Sequence, residues 1–256
     1  MIHPQAIIDP TARLGKNVSV GPWSYIGPEV EIGEDSWIGS HVVIKGPARL
    51  GRRNKVFQFA SLGDDPQDKK YAGEPTRLEI GDGNTFRECC TVNRGTEQGG
   101  GLTKIGDHNL FMAYTHVAHD CRIGDHVIFS NNASAAGHVG VGDYAILGGF
   151  VGVHQFCLVG AYSFLAGGSM VTKDVLPYVK VSGYPASVHG LNTIGLERLG
   201  FSSEVISRLR KAYRIIFRQN YTVPEAIDCL KESLEPSPEL VLLMDFLSSS
   251  TRGIVR

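Results

Sequence analysis

The chain of 256 residues lacks a charge imbalance: 25 Lys and Arg against 26 Asp and Glu leave a formal net charge of −1. The molecule as a whole therefore carries no electrostatic footprint for nucleic acid. It lacks any run near the roughly 18 consecutive apolar residues of a membrane-spanning helix. Residues 1–10 have neither a basic n-region nor a long apolar h-region, so no secretory signal is read there. Cysteine is scarce. Cys89, Cys90, Cys121, Cys157 and Cys229 form no C-x-x-C pair and miss the usual zinc spacings, and their odd number suits free thiols in a reducing cytoplasm. No G-x-S-x-G nucleophile elbow is present. Glycine, by contrast, is plentiful: there are 31, about 13 more than average composition gives a chain of this length. They do not recur every third residue, which excludes collagen, and an apolar content of 42% excludes wholesale disorder.

Every sixth residue from Ile8 is β-branched or Leu: Ile8, Leu14, Val20, Ile26, Ile32, Ile38, Ile44, Leu50, Val56 and Leu62. Seven of these ten are followed by glycine. The same phase returns at Ile80, Phe86 and Val92, and a second run extends from Ile105 to Val171, with only Ala135 small. A period of six suits neither a helix nor a simple alternating strand. It predicts a coil of short strands joined by tight turns, with one aliphatic side chain per segment pointing at a common axis. Such units bury their apolar face only by stacking into a solenoid. With three hexads per turn, residues 18 apart stack at roughly 4.8 Å. Glycine after each ladder residue is expected to relieve crowding or supply positive φ at the corner. Residues 63–79 keep the phase but lose the pattern, and residues 93–104 shift it by one. Both read as ejected loops, which on a rigid scaffold commonly carry function.

Beyond about residue 190 the glycines thin out and the period becomes helical, giving a coil over 1–190 and a small helical domain over 191–256. Ser202 is placed to N-cap a helix running to about Gln219, Thr222 with Glu225 forms a capping box, and Ser237-Pro238-Glu239 opens a third helix. Arg208, Arg210, Lys211, Arg214 and Arg218, with Arg198, make a basic patch: a solvated face or a dock for an acidic partner.

Four of nine histidines fall within residues 116–154: His116, His119, His138 and His154. The 18-residue stacking aligns His119 with Gly137 and Gln155, Asp120 with His138, and Ala136 with His154. None occupies a ladder position, so the pattern puts them on one outer face. Histidine beside aspartate points to a general base with an orienting carboxylate, although adjacent strand residues face opposite ways, so the contact requires a corner. Three histidines holding a catalytic zinc are the competing chemistry.

The hexad ladder, the Q-D-x-K-Y-A-G-E-P-T-R loop, H-x-x-H-D, V-H-Q-F and the terminal S-T-R-G-I together resemble the bacterial UDP-N-acetylglucosamine O-acyltransferases, which open lipid A biosynthesis. The resemblance covers essentially the whole chain. It implies a mainly β fold, a left-handed parallel β-helix of hexapeptide repeats followed by a small C-terminal α-helical domain. It also implies a cytoplasmic homotrimer with active sites between subunits, and transfer of an (R)-3-hydroxyacyl chain from acyl carrier protein to the 3-hydroxyl of UDP-N-acetylglucosamine, with no metal or cofactor. By position, His119 resembles the general base, Asp120 its orienting carboxylate, and Gly137 the oxyanion donor. Gln67, Asp68, His116, His138, His154, Gln155, Asn192 and Arg198 match sugar-nucleotide or acyl-chain contacts, and Gly167 matches the position that limits acyl length. Three positions depart from the family's pattern. Asn93 replaces a histidine, Ile194 a glutamate, and Leu199 the second of two arginines. They keep open an acceptor carrying a 3-amino group, and a zinc lyase of the γ-carbonic-anhydrase kind is the alternative from another class.

Overall fold

In the computed structural model, which describes all 256 residues, the chain winds into a parallel β-helix of three sheets. The first sheet has nine strands, from Ile7–Ile8 to Met170–Val171, and the second has eight, from Arg13–Leu14 to Leu158–Val159. The third has ten, beginning at Ser19–Val20 and closing with Val179–Gly183 and an antiparallel Ala186–Leu191. The chain visits the sheets in rotation, so three edges run along the coil: first to second, second to third, and third to first. Most strands are two residues long, one pointing in and one out. The inward residues are the hexad ladder, and from Val20 to Val171 they are buried. Each fully buried large apolar side chain contributes about 1.5–3 kcal/mol. Phe86, Phe111 and Phe129 continue the column as rings with centroids 4.8 and 5.2 Å apart. No helix is long and apolar enough to cross a membrane.

Of the two roles expected of the corner glycines, clearance holds and positive φ does not. Of the thirteen glycines that follow a ladder residue, only Gly63 has positive φ. The left-handed conformation falls two positions later, mostly on larger residues: Asn17 (φ 61°), Trp23 (57°), Asp120 (61°), His138 (63°), Tyr144 (58°) and Tyr162 (62°) among them. Each such residue costs energy for its Cβ, and the stacked coils hold it there. His41 donates its N–H to Pro22 O, His138 to His119 O, and Tyr144 to Asp125 O, all within 2.9–3.0 Å. The glycines supply clearance instead. A Cβ on Gly21 would lie 2.7 Å from Gly39 C in the next coil, and one on Gly106 would lie 2.1 Å from Asp125 Oδ1.

Leu62 and Ile80, though 18 residues apart, lie on adjacent faces rather than one full turn apart. Ile80 pairs with Leu50, and Ser61 pairs with Thr91. The retained phase is arithmetic coincidence, since twelve of those residues are looped out. Val92 to Ile105 likewise advances one face, because Thr91 pairs with His116 and Ile105 with Ile123. Both loops consequently leave from the first-to-second edge.

Four helices follow the coil: α1 (Thr193–Arg198), α2 (Ser203–Arg218), α3 (Val223–Ser233) and α4 (Pro238–Ser249). Ser202 and Ser237 N-cap α2 and α4, and Thr222 with Glu225 forms the capping box of α3. Helix α2 buries Ile206, Leu209, Ala212, Ile215 and Ile216 along one stripe. The chain end returns to the coil: Ser250 Oγ donates to the buried Asp174 Oδ2 at 2.6 Å, and Ile254 forms a bridge with Asp174.

Candidate active site

Successive corners of the first-to-second edge carry Asp120, His138 and Phe156 in the left-handed position. Because Asp120 turns the chain there, its side chain swings back beside His119, a contact that strand alternation forbids. His119 Nδ1–H donates to Asp120 Oδ2 at 2.8 Å. His138 Nε2 lies 3.7 Å from the same oxygen, and the two imidazoles meet edge-on with centroids 5.2 Å apart. Phe156 stacks beneath His138 at 4.4 Å. The backbone of Gly137 closes against His119: a Cβ there would sit 2.6 Å from Cε1 and 2.8 Å from Nε2. Its N–H makes no hydrogen bond within the chain.

Asp120 is buried, and a buried carboxylate needs partners. Thr96 supplies two, its N–H to Oδ1 at 2.8 Å and its hydroxyl to Oδ2 at 2.6 Å. The Asp120 N–H donates to Thr103 Oγ1 at 2.8 Å, where His138 and Phe156 use the carbonyl of the preceding corner. The looped-out chain at 94–101 has removed that carbonyl for Asp120, and a threonine hydroxyl replaces it. Sequence reasoning missed both threonines. The available signal was the one-residue phase slip of their loop, directly before the histidine corner.

His116, on the outer face of the first sheet, hydrogen-bonds with Thr91 Oγ1 at 2.8 Å. Burial pushes its pKa below the ordinary imidazole range, with a smaller contribution from His119. His138 is also lowered, chiefly by burial; the Asp120 carboxylate opposes this, His119 adds to it, and the Asp68 carboxylate opposes it. Both rings are therefore neutral at pH 7. Asp68 comes from the first loop, half-buried, with Gln67 exposed beside it.

The remaining sequence candidates are dispersed. His154 and Gln155 are exposed on the next coil of the same edge, where His154 Nδ1–H donates to Gln155 O at 3.1 Å. Gly167 is exposed on the third-to-first edge. Asn192 caps α1, its Oδ1 accepting from Gly195 N at 3.3 Å and its Nδ2 donating to Tyr162 O at 2.9 Å. Arg198 ends that helix, exposed, with Ile194 and Leu199 exposed beside it.

His119, Asp120 and His138 place one ligand atom each within 4.8 Å of one another. Asp120, however, already accepts three hydrogen bonds, which fill most of a carboxylate's roughly four acceptor positions. The third histidine nearby, His116, is turned to Thr91. This donor set suits a hydrogen-bonded base rather than a three-histidine zinc. Burial pushes the neighbouring Cys121 thiol up to about 12, so it supplies no nucleophile at neutral pH.

Residues 174–255 match the family described as UDP N-acetylglucosamine O-acyltransferase, domain 2, and residues 102–134 match the bacterial transferase hexapeptide. A protein of Halorhodospira halophila named as an acyl-(acyl-carrier-protein)–UDP-N-acetylglucosamine O-acyltransferase is 55% identical over 255 residues, covering 100% of this chain and 99% of its own. The chain belongs to the UDP-N-acetylglucosamine O-acyltransferase family. The identically named protein of Stutzerimonas stutzeri is 54% identical over 256 residues, again covering 100% and 99%. Among solved structures, LpxA from Acinetobacter baumannii superposes with a TM-score of 0.98 at 51% identity, covering 100% of this chain and 99% of that one. LpxA from Bacteroides fragilis, a UDP-N-acetylglucosamine acyltransferase, gives 0.98 at 41%, covering 100% of both. The fold class expected from the sequence, a left-handed parallel β-helix followed by helices, stands with these matches. The zinc-lyase and amino-acceptor alternatives find no support among them. Asn93, the departure that kept the amino acceptor open, is 4% exposed and donates its Nδ2–H to Asp65 O at 2.9 Å, so it braces a loop.

Proposed function

We propose that this chain transfers an (R)-3-hydroxyacyl group from acyl carrier protein to the 3-hydroxyl of UDP-N-acetylglucosamine, the first step of lipid A biosynthesis, with His119 as general base. The observation that carries this reading is the His119–Asp120 pair, joined at 2.8 Å and set against the unused N–H of Gly137. Asp120 fixes the tautomer that carries hydrogen on Nδ1, leaving Nε2 to accept the proton of the sugar hydroxyl. The sugar oxygen attacks the thioester carbonyl, and the Gly137 N–H donates to the resulting oxyanion. Collapse breaks the carbon–sulfur bond, and the imidazolium returns its proton to the departing thiolate. A positioned base contributes about 10²- to 10⁴-fold and one oxyanion donor about 10²- to 10³-fold. The thioester is already activated, so the reaction calls for no metal or cofactor. Gln67, Asp68, His116, His138, His154, Gln155, Asn192 and Arg198 are assigned to the substrates on the family resemblance.

Two further features support the partners. Arg210, Lys211, Arg214 and Arg218 of α2 are exposed with no carboxylate within 4.0 Å, a face suited to an acidic carrier and sensitive to salt. Leu110, Ile128, Ile146 and Phe164 stack in register on the outer face of the third sheet, half-buried in a single chain. An apolar stripe there supports a homotrimer in which a neighbour's third sheet, with Gly167 beside it, approaches the histidine edge of this chain. Five unpaired thiols suit a reducing cytoplasm.

The test is turnover by purified protein with (R)-3-hydroxyacyl carrier protein and UDP-N-acetylglucosamine, with the ester product read by mass spectrometry. His119→Ala is expected to bind the sugar nucleotide and lose at least ~10²-fold in kcat. Near-normal turnover sinks the assignment of the base.

A further inference from the structure

We propose that Arg94 and Thr96, on the stretch that opens the second loop, are positioning residues that divide the work. Thr96 sets the catalytic pair, and Arg94 sets the loop that faces it. The inference rests on the acyltransferase reading above and extends it to residues with no assigned role.

Thr96 grips both oxygens of Asp120, N–H to Oδ1 and O–H to Oδ2. Two donors on opposite oxygens fix the plane of a carboxylate, and His119 takes its direction from Oδ2. The same hydroxyl accepts from Gly99 N at 3.2 Å, capping the short 3-10 turn Glu97–Gly99 that packs on the carboxylate. The packing leaves no room there, since a Cβ on Gly99 would lie 2.0 Å from Asp120 Cγ. The loop thus sits on Asp120 as a lock on its rotamer.

Two residues earlier the chain faces the other way. The Arg94 guanidinium donates from Nη1 to Gly63 O at 3.0 Å and from Nη2 to Tyr71 Oη at 2.9 Å, and it pairs with Asp65. It also lies 5.8 Å from the centre of the Tyr71 ring. Its side chain is 13% exposed. One planar group therefore ties the start of the first loop to its middle at Tyr71 and holds both to the coil, a reach that a lysine point charge lacks. That loop carries Gln67 and Asp68, and the Asp68 charge is felt at His138. The single residue between the two grips allows no slack: a Cβ on Gly95 would lie 2.2 Å from Leu102 N.

Steady-state kinetics separate the two roles. Thr96→Val is expected to lower kcat by at least ~10-fold, toward the ~10²-fold that a misplaced catalytic group costs, with KM for UDP-N-acetylglucosamine within about threefold. Thr96→Ser, which keeps the hydroxyl, restores most of it. Adding Thr96→Val to Asp120→Asn costs nothing further, because Thr96 acts through Asp120. Arg94→Lys shows the opposite split, with KM raised about 5- to 10-fold by loss of hydrogen bonds and kcat within about threefold. If Thr96→Val fails to fold, Thr96→Cys, a weaker donor of similar shape, must show the same kcat-only loss. An unchanged kcat in the folded Thr96 variant, or a loss that adds fully to that of Asp120→Asn, overturns the Thr96 role. An unchanged KM in Arg94→Lys overturns the other. A wild-type chain with no turnover would refute the acyltransferase reading, and the division of labour with it.

Discussion

The second-to-third and first-to-second edges of the coil share one backbone and hold very different chemistry. On the former, the corners read I-G-D-H-N, I-G-D-H-V and V-G-D-Y-A at residues 105–109, 123–127 and 141–145. Asp107, Asp125 and Asp143 each accept the backbone N–H of the preceding corner at 2.6–2.8 Å, in the space their neighbours' glycines leave. The left-handed residues stack as a pile of rings, His108, His126, Tyr144, Tyr162 and Tyr178, with centroids 4.7–5.4 Å apart. The aspartate carboxylates and the N–H groups of the left-handed residues are spent on neighbouring coils. On the first-to-second edge, the corners read V-A-H-D-C, A-A-G-H-V and V-H-Q-F-C. Aspartate has moved one place, into the left-handed seat, and two loops have removed the preceding corners. Asp120 bonds to Thr96 and His119 instead of a stacked corner. The candidate site arises here because hydrogen-bonding capacity of the edge is released from the scaffold.

That contrast can be broken at one atom. Gly137 occupies the corner position that Asp143 fills on the other edge, so the coil itself tolerates a side chain there. Gly137→Ala is expected to keep its melting temperature and lose on the order of 10²-fold in kcat, because its Cβ displaces the His119 imidazole. Wild-type turnover would show that the imidazole position is not critical. Tyr144→Ala is the converse. Losing two stacked neighbours costs about 1–3 kcal/mol in denaturant unfolding, with turnover of the folded protein unchanged. A variant that loses activity and keeps stability would erase the distinction between the edges.

The smallest effect is a pH dependence. His116 and His138 are held below the ordinary imidazole range by burial. The unfolded chain then binds more protons than the folded one as pH falls through ~6.5, so stability drops on acidification below that value. Thermal melts of His116→Asn should show a flatter dependence between about pH 7 and 5. An unaltered slope would assign the acid sensitivity elsewhere.

Much of this was legible beforehand. The ladder could be read because a buried axis accepts only large aliphatics or phenylalanine, and a strict period of six leaves no other fold. The helix starts were legible from Ser202, Thr222 with Glu225, and Ser237, since capping is a local hydrogen bond. The histidine corner was legible from the 18-residue arithmetic. The glycines were legible only as a pair of alternatives: sequence alone does not tell whether a missing Cβ serves the residue's own φ or a neighbour's atoms, and here it serves the neighbour. Thr96, Thr103 and Arg94 were invisible because they act on residues 17–31 positions away, through loops whose paths no local rule gives.

Sequence alone therefore settled the scaffold and its period, because each ladder side chain answers to one local demand repeated at every turn. Tertiary structure decided which edge carries the candidate site. That choice depends on where two loops leave the coil, on a left-handed seat that turns Asp120 toward His119, and on two distant hydroxyls, Thr96 donating to the buried carboxylate and Thr103 accepting the Asp120 N–H. Those are pairings between chain segments, and only the assembled coil brings them within hydrogen-bond range.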